Sequence, residues 1–116
     1  MKTQLKGAQG EKRALKFLRK QQLSLLEKNF HCRYGEIDLI MQSQEQEIIF
    51  VEVRLRKNND YGGAAASVTS SKQQKIIRTA QTYLQQHQLQ QRPCRFDVVA
   101  ICQDTQDVDW IQHAFC

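Results

Sequence analysis

Residues 35–54 read GEIDLIMQSQEQEIIFVEVR, and this stretch decides the fold. Two runs rich in aliphatic residues flank a polar turn at residues 43–46, a pattern that predicts two strands joined as an antiparallel hairpin. Two acids, Asp38 and Glu52, lie inside these apolar strands. A carboxylate among apolar side chains is costly unless a positive group offsets it. The two acids, followed by the cation Arg54, therefore predict a site that holds a divalent metal.

The two acids can cooperate only if they share one face of the hairpin. Side chains directly opposite each other in an antiparallel pair share a face, so the numbers of paired residues must sum to an even value, as when Asp38 lies opposite Glu52. A slip of one residue would separate the acids. The alternation also predicts that Ile37 shares a face with Leu39 and Met41, while Asp38 lies on the other face.

The whole chain predicts a single α/β domain of 116 residues with the order α-β-β-β-α-β-β. Three strands in a meander, followed by a crossover helix and a further strand, give a mixed β-sheet with helices packed on it. Helices are predicted at about residues 4–22 and 70–89, and strands at 23–30, 36–42, 47–55, 95–102 and 107–113.

The composition narrows the classes of partner. The net charge is +5, from 17 Lys and Arg against 12 Asp and Glu. A basic protein favours polyanionic binding partners, of which nucleic acid is the first candidate. Four cysteines occur without metal-type spacing, so we expect free thiols in a reducing cytosol. The absence of a signal peptide and of an apolar run near the roughly 20 residues of a membrane helix predicts a cytoplasmic protein without a membrane partner. The oligomeric state stays open.

The first helix carries an acid on its apolar face. Glu11 falls between Ala8, Leu15 and Leu18, where it is either a metal ligand or a helix-start glutamate that interacts favourably with the helix dipole. The opposite face is basic, and it is either solvated or in contact with phosphates. The residues of this basic face are Lys12, Arg13, Lys16, Arg19 and Lys20.

Two further segments are candidates for the nucleic-acid interface. Lys72 and Lys75 lie along the second helix and can contact phosphates. The loop at residues 57–67 contains Asn58-Asn59-Asp60 and Gly62-Gly63, and we expect it to border the site because glycine-rich loops often carry function.

The motifs, in this order, resemble the YraN-type family of predicted endonucleases, within the PD-(D/E)XK superfamily that includes archaeal Holliday-junction resolvases. The resemblance covers almost the whole chain. It implies a restriction-endonuclease-like three-layer sandwich and Mg²⁺- or Mn²⁺-dependent hydrolysis of DNA, including branched or structured DNA. It rests on Gly10-Glu11, residues 35–40 and 50–56, Arg95-Phe96-Asp97-Val98-Val99 and Ala114-Phe115.

The resemblance also implies roles for matching residues. Asp38 matches the acid of the second strand, Glu52 the acid of the (D/E)XK motif, and Glu11 the helix glutamate of resolvase-like members. These three would be the metal ligands, and Asp38, Glu52 and Arg54 the catalytic group. Arg54 stands where the family pattern has lysine. Arginine can stabilise negative charge but cannot lose its proton to act as a base.

Other interpretations remain open at this point. The acids can instead form buried ion pairs, Glu52 with Arg54 or Asp38 with Arg56. Glu36 and Arg56 lie near enough in sequence to support a metal site. For the whole protein, the alternatives to a nuclease are a nucleic-acid-binding module on a nuclease fold, in which Arg54 marks lost chemistry, and a structural partner protein.

Overall fold

We describe the fold from a computed structural model, in which residues 2–56 and 68–115 are described. The loop predicted at residues 57–67 and Cys116 lie outside these residues. The predicted order α-β-β-β-α-β-β is confirmed. The elements are α1 (Lys2–Lys20), β1 (Ser24–Cys32), β2 (Gly35–Gln42), β3 (Ile48–Arg56), α2 (Ser70–Gln86), β4 (Cys94–Cys102) and β5 (Val108–Phe115).

The five strands form one mixed sheet in the order β1-β2-β3-β4-β5. The pairs β1–β2, β2–β3 and β4–β5 are antiparallel, and β3–β4 is parallel. Parallel neighbours need a crossover connection, and α2 lies in the connection between β3 and β4. The mixed sheet flanked by helices was predicted from the sequence and is confirmed.

The two helices pack on opposite faces of the sheet. Alternate residues of β3 point to different sides, so Phe50 packs in one hydrophobic core and Val51 in the other. Phe50 meets Tyr83 of α2 edge to face, with ring centroids 6.2 Å apart. Val51 shares its core with Leu18 of α1. The molecule therefore has three layers, with a core on each side of the sheet.

The face of β2 predicted for Ile37 is wrong. Ile37 belongs to the core on the α2 side, together with Phe30, whereas Leu39 belongs to the core on the α1 side. The β2–β3 pairing begins only at Leu39, so the first residues of β2 can twist away from β3. On the neighbouring strand, Asn29 has a positive φ of 55°. Strict alternation fails at this end of β2 because the strand leaves its neighbour.

The buried acid Asp97 joins β4 to β5. Its carboxylate is fully buried and accepts hydrogen bonds from Arg95 Nε at 3.1 Å, from Trp110 Nε1 at 2.9 Å and from the His113 backbone N–H at 3.1 Å. Arg95 also donates to Glu47 at 3.1 Å. Since these groups satisfy its charge, Asp97 holds the irregular β4–β5 pairing and is not a component of the candidate site.

Two further sequence expectations concern the helices and the thiols. Across residues 2–56 and 68–115, neither helix is both long and apolar enough to cross a bilayer. Among the described residues, Cys32, Cys94 and Cys102 form no disulfide, in agreement with the prediction.

Candidate active site

Asp38 lies at the point where β2 and β3 separate. The last backbone pair before the separation is Leu39 with Val51, and the numbers of all the paired residues sum to an even value, as predicted, although Asp38 itself lies beyond the paired stretch. The Val53 backbone N–H donates to Asp38 Oδ2 at 2.8 Å. The Asp38 carboxylate thus accepts a hydrogen bond that a backbone carbonyl of a neighbouring strand would otherwise accept. This hydrogen bond fixes the position of the carboxylate relative to the backbone of β3.

Glu52 is buried, at 7% exposure, and points toward the α2 side of the sheet like Phe50. Two cations approach its Oε2 atom. Lys72 Nζ of α2 lies at 2.8 Å and Arg54 Nη2 lies at 3.6 Å. Only the first distance is that of a hydrogen bond, so Lys72 is the closer partner of this acid.

The carboxyls of Asp38 and Glu52 meet in this half-buried place. Burial, the negative charge of Glu52 and a hydrogen bond with Glu52 raise the pKa of Asp38 to about 8, although the Val53 amide acts in the opposite direction. Asp38 therefore keeps its proton at neutral pH in the metal-free protein. A guanidinium partner lowers the pKa of a carboxyl. The raised pKa is therefore the opposite of what a pair between Asp38 and Arg56 would produce.

Glu11 approaches the pair from the α1 side. Gly10 is buried, and a Cβ added there would lie 3.1 Å from Leu55 Cδ2 and 3.8 Å from Val53 Cγ1, so the glycine lets α1 lie close to β3. Glu11 is half-buried and contributes to the raised pKa of Asp38 through its charge. No three acidic, histidine or cysteine side chains of the described residues lie close enough together to hold a metal. The structure brings Asp38 and Glu52 together and leaves Glu11 at their edge.

The remaining predicted site residues lie around this pair. The buried Nε of Arg54 has no hydrogen-bond partner among the residues that the structure describes. Arg56 pairs with Cys102 at the end of the β3–β4 ladder. Glu36 is exposed and lines a groove of about 310 Å³ together with Lys72 and Lys75, between the start of β2 and the start of α2.

Near this groove, Tyr34 makes contacts with two arginines that were not predicted from the sequence. The Arg33 guanidinium lies 4.8 Å from the Tyr34 ring centroid and the Arg78 guanidinium lies 5.7 Å from it. Arg33 Nη2 also donates to the Tyr34 hydroxyl at 2.7 Å. We name these three residues with Lys72 and Lys75 the α2 surface. The sequence showed Arg33-Tyr34-Gly35 only as a turn, and its contact with α2 arises from packing.

The other predicted basic residues belong to a second surface. Lys12 and Lys16 are exposed and Arg13 is half-buried. Lys12 and Lys16 share a groove of about 530 Å³ with Lys28 of β1. We name it the α1 surface. Helix α1 packs on the face of the sheet opposite the one where Glu52 meets Lys72.

These observations define a class: a three-layer α/β protein whose sheet holds a contacting pair of acids between two basic surfaces. The sequence profile described as "Uncharacterised protein family UPF0102" matches residues 10–101. The chain belongs to this family, and its resemblance to the YraN-type family is confirmed at this level. The matched region contains both acids of the pair and Lys72.

Individual relatives match over nearly their full length. The chain is 50% identical over 111 residues to a UPF0102 protein of Nitrosomonas europaea, covering 95% of this chain and 92% of the relative. It is 51% identical over 113 residues to a UPF0102 protein of Alcanivorax borkumensis, covering 94% and 90%. It is 53% identical over 110 residues to a UPF0102 protein of Alkalilimnicola ehrlichii, covering 94% and 85%.

Proposed function

We propose that this protein is a metal-dependent nuclease that hydrolyses phosphodiester bonds in DNA, on a restriction-endonuclease-like fold. The three layers and the order α-β-β-β-α-β-β support the fold. The observation that carries the function is the contact between the carboxyls of Asp38 and Glu52 in a largely buried place, where burial first and the charge of Glu52 second raise the pKa of Asp38 to about 8. Strongly perturbed acids in contact are typical of functional sites.

The chemistry of the pair fits a divalent cation. Mg²⁺ and Mn²⁺ prefer oxygen ligands, and Mg²⁺ keeps several of its waters, so two carboxylates suffice to bind it. A cation bound by Asp38 and Glu52 would take the place of the proton on Asp38 and would offset the repulsion between the two carboxylates. Glu11 lies at the edge of the pair and would have to move closer to serve as a third ligand.

The proposed reaction needs an activated water and stabilisation of negative charge. A bound cation would lower the pKa of a water molecule and neutralise charge on the phosphate. In the hydrolysis, the water oxygen forms a bond to phosphorus and the bond to the leaving oxygen breaks. One proton leaves the water for solvent, and the leaving oxygen takes one proton from solvent. The Arg54 guanidinium, whose side chain is 26% exposed and whose Nη2 lies 3.6 Å from Glu52 Oε2, can donate to a phosphate oxygen in this step.

The α2 surface offers a path for the DNA strand to the acid pair. Glu52 lies on the α2 side of the sheet, and Lys72, which contacts it, begins a row of cations that continues with Lys75 and Arg78 at spacings of three residues. Residues three apart on a helix are neighbours on its surface. Tyr34, beside Arg78, offers a ring on which an unpaired base can stack.

The test is cleavage of a panel of labelled DNA substrates, duplex, single-stranded, flapped and four-way branched, with Mg²⁺ or Mn²⁺ and with EDTA. We expect cleavage that requires the metal. Asp38→Asn and Glu52→Gln should abolish cleavage and weaken Mn²⁺ binding in calorimetry. Asp104→Asn, at an exposed turn position, is the matched control and should change neither. Cleavage that survives Asp38→Asn would contradict the proposal.

One observation favours a second candidate, a nucleic-acid-binding module without chemistry. Lys72 and Arg54 already neutralise Glu52. If this neutralisation is permanent, no cation would enter. The binding module predicts DNA binding without any cleavage and no change in affinity on adding Mn²⁺, whereas the nuclease predicts both metal binding and cleavage.

A further inference from the structure

We propose that Lys72 of α2 supplies the cation that the family pattern places on β3, and that it moves from Glu52 to the DNA phosphate when a divalent metal binds. This inference rests on the proposed nuclease function. It assigns to Lys72 a role in catalysis beyond the phosphate binding predicted from the sequence. Arg54 then becomes a secondary source of charge.

The first support is the distance. Lys72 Nζ lies 2.8 Å from Glu52 Oε2, while Arg54 Nη2 remains at 3.6 Å although it belongs to the same strand as Glu52. The ammonium of lysine is a compact charge on a flexible stem, and the side chain of Lys72 is 41% exposed. Lys72 can therefore contact the buried acid and still reach a ligand at the surface.

The second support is the way the helix holds Lys72. Thr69 is the N-cap of α2, and its Oγ1 accepts a hydrogen bond from the Lys72 backbone N–H at 3.2 Å. Lys72 is thus the third residue of the helix. This cap fixes the residue at which α2 begins and therefore places Lys72 in its first turn, from which its side chain reaches Glu52.

The third support is a conflict with local helix preference. The third helical position favours glutamate, which can complete a capping box, and the positive end of the helix dipole disfavours a cation there. The first turn of α2 contains no acid and carries Lys72 instead. Residues that break a local rule concentrate at functional sites. Glu52 is the compensating charge that the structure provides.

The movement of Lys72 from Glu52 to the DNA phosphate, which we call the exchange, follows from charge balance. In the metal-free protein the ammonium neutralises Glu52. A divalent cation bound by Asp38 and Glu52 would repel the ammonium, and the nearest negative group would then be the phosphate of the bound DNA. Lys72 would place its positive charge on a non-bridging phosphate oxygen as negative charge develops there. Arginine at position 54 is compatible with cleavage because the lysine comes from the helix.

The experiment compares Lys72→Ala and Lys72→Arg with Lys75→Ala, a control that removes the same charge one turn along the helix from a residue of the same groove. Calorimetry with Mn²⁺ alone measures the exchange. Removing the competing ammonium should tighten Mn²⁺ binding by about fivefold in Lys72→Ala, because the cation of this ion pair is solvent-exposed and the pair is correspondingly weak, and should leave it unchanged in Lys75→Ala. Thermal unfolding checks that each variant is folded.

Single-turnover cleavage measures the catalytic role. Lys72→Ala should lower the cleavage rate by about 10²- to 10³-fold at saturating protein, and Lys72→Arg should retain more activity than Lys72→Ala because the charge remains. Lys75→Ala should weaken DNA binding but lower this rate much less. A Lys72→Ala variant that cuts as fast as Lys75→Ala would overturn the catalytic role of Lys72 while the nuclease stands.

The two proposals fail in different ways. If the wild-type protein binds Mn²⁺ but cuts no DNA of the panel, the nuclease is wrong and the catalytic role of Lys72 falls with it. The exchange at Glu52 is then decided by calorimetry alone, where unchanged Mn²⁺ affinity in Lys72→Ala would overturn it.

Discussion

Lys72 Nζ contacts Glu52 Oε2 at 2.8 Å, and this contact joins the first turn of α2 to the centre of the sheet. It connects two residues that are 20 positions apart in the sequence and belong to different layers. The contact makes the charge of the acid dependent on how the helix docks. It also gives the Glu52 carboxyl, at 7% exposure, a positive partner that offsets the cost of its burial.

The raised pKa of Asp38 predicts a pH dependence of stability in the metal-free protein. The pKa of an unfolded aspartate is about 3.9, and that of Asp38 in the fold is about 8. Between these values the folded state binds the extra proton, so stability is greatest at the acidic end of this window and falls as the pH rises through it. The loss is on the order of a few kcal/mol.

Urea denaturation in EDTA at several pH values between these two limits measures the effect. Asp38→Asn should flatten the dependence, since the variant has no titrating carboxyl at this position. Glu45→Gln, in the exposed turn before β3, should leave the wild-type slope. A wild-type stability that rises with pH across this window would show that the prediction for Asp38 is wrong.

Asp97 should be essential for stability and dispensable for metal binding. Asp97→Ala leaves the Arg95 Nε and the Trp110 N–H without their acceptor, and breaking such a buried pair costs about 3–5 kcal/mol. Urea denaturation gives the decrease in the free energy of unfolding. Asp109→Ala, an exposed position on β5, should stay within about 0.5 kcal/mol of the wild type. Equal unfolding midpoints for the two variants would contradict the structural role of Asp97.

The two basic surfaces should differ in their contribution to DNA binding. Reversing Lys75 and Arg78 to Glu should weaken DNA binding across sequences and reduce the salt slope by about 0.9 for each phosphate that the variant no longer neutralises. Reversing Lys12 and Lys16 to Glu changes the net charge by the same amount on the α1 surface and should have the smaller effect. Fluorescence anisotropy over a salt series measures both. If reversing Lys12 and Lys16 lowered DNA affinity more than reversing Lys75 and Arg78, the DNA would bind at the α1 surface and the prediction would be wrong.

Arg54 should contribute charge but not determine metal binding. Arg54→Lys should preserve or raise cleavage. Arg54→Ala should lower cleavage by less than the about 10²-fold expected for Lys72→Ala, because its guanidinium is the more distant cation. Mn²⁺ binding should survive in Arg54→Ala, since both carboxylates remain. Arg19→Ala, at an exposed position of α1, serves as the control. If Arg54→Ala cuts at the wild-type rate, Arg54 has no catalytic role.

The periodicity of the apolar residues was sufficient to predict most of the fold, and the acids that interrupt the apolar strands indicated the two central acids. Alternation defined β2 and β3, and the even register of Asp38 and Glu52 followed from it. Ile37 was misassigned because its direction depends on where β2 leaves β3, which is a property of the sheet and not of the strand. The alternation of residues within one strand does not indicate where that strand separates from its neighbour.

Contacts between distant segments were harder to predict. The sequence marked Lys72 as a residue for phosphates, but its contact with Glu52 depends on how α2 docks against β3. The same holds for Tyr34 and Arg78, which meet only because the β1–β2 turn packs against the helix. Charge patterns along one element indicate which residues are available, while tertiary packing decides which of them meet.

The hydrogen bond from the Val53 N–H to Asp38 has a consequence for solvent exchange. Most amide protons of a central strand are protected by a neighbouring backbone, and they become exposed only when strands separate. This one is protected by a side chain. Its exchange rate would therefore follow the Asp38 carboxylate and not the unfolding of the sheet. In a hydrogen–deuterium exchange experiment, the Val53 amide would be a local reporter of what Asp38 binds.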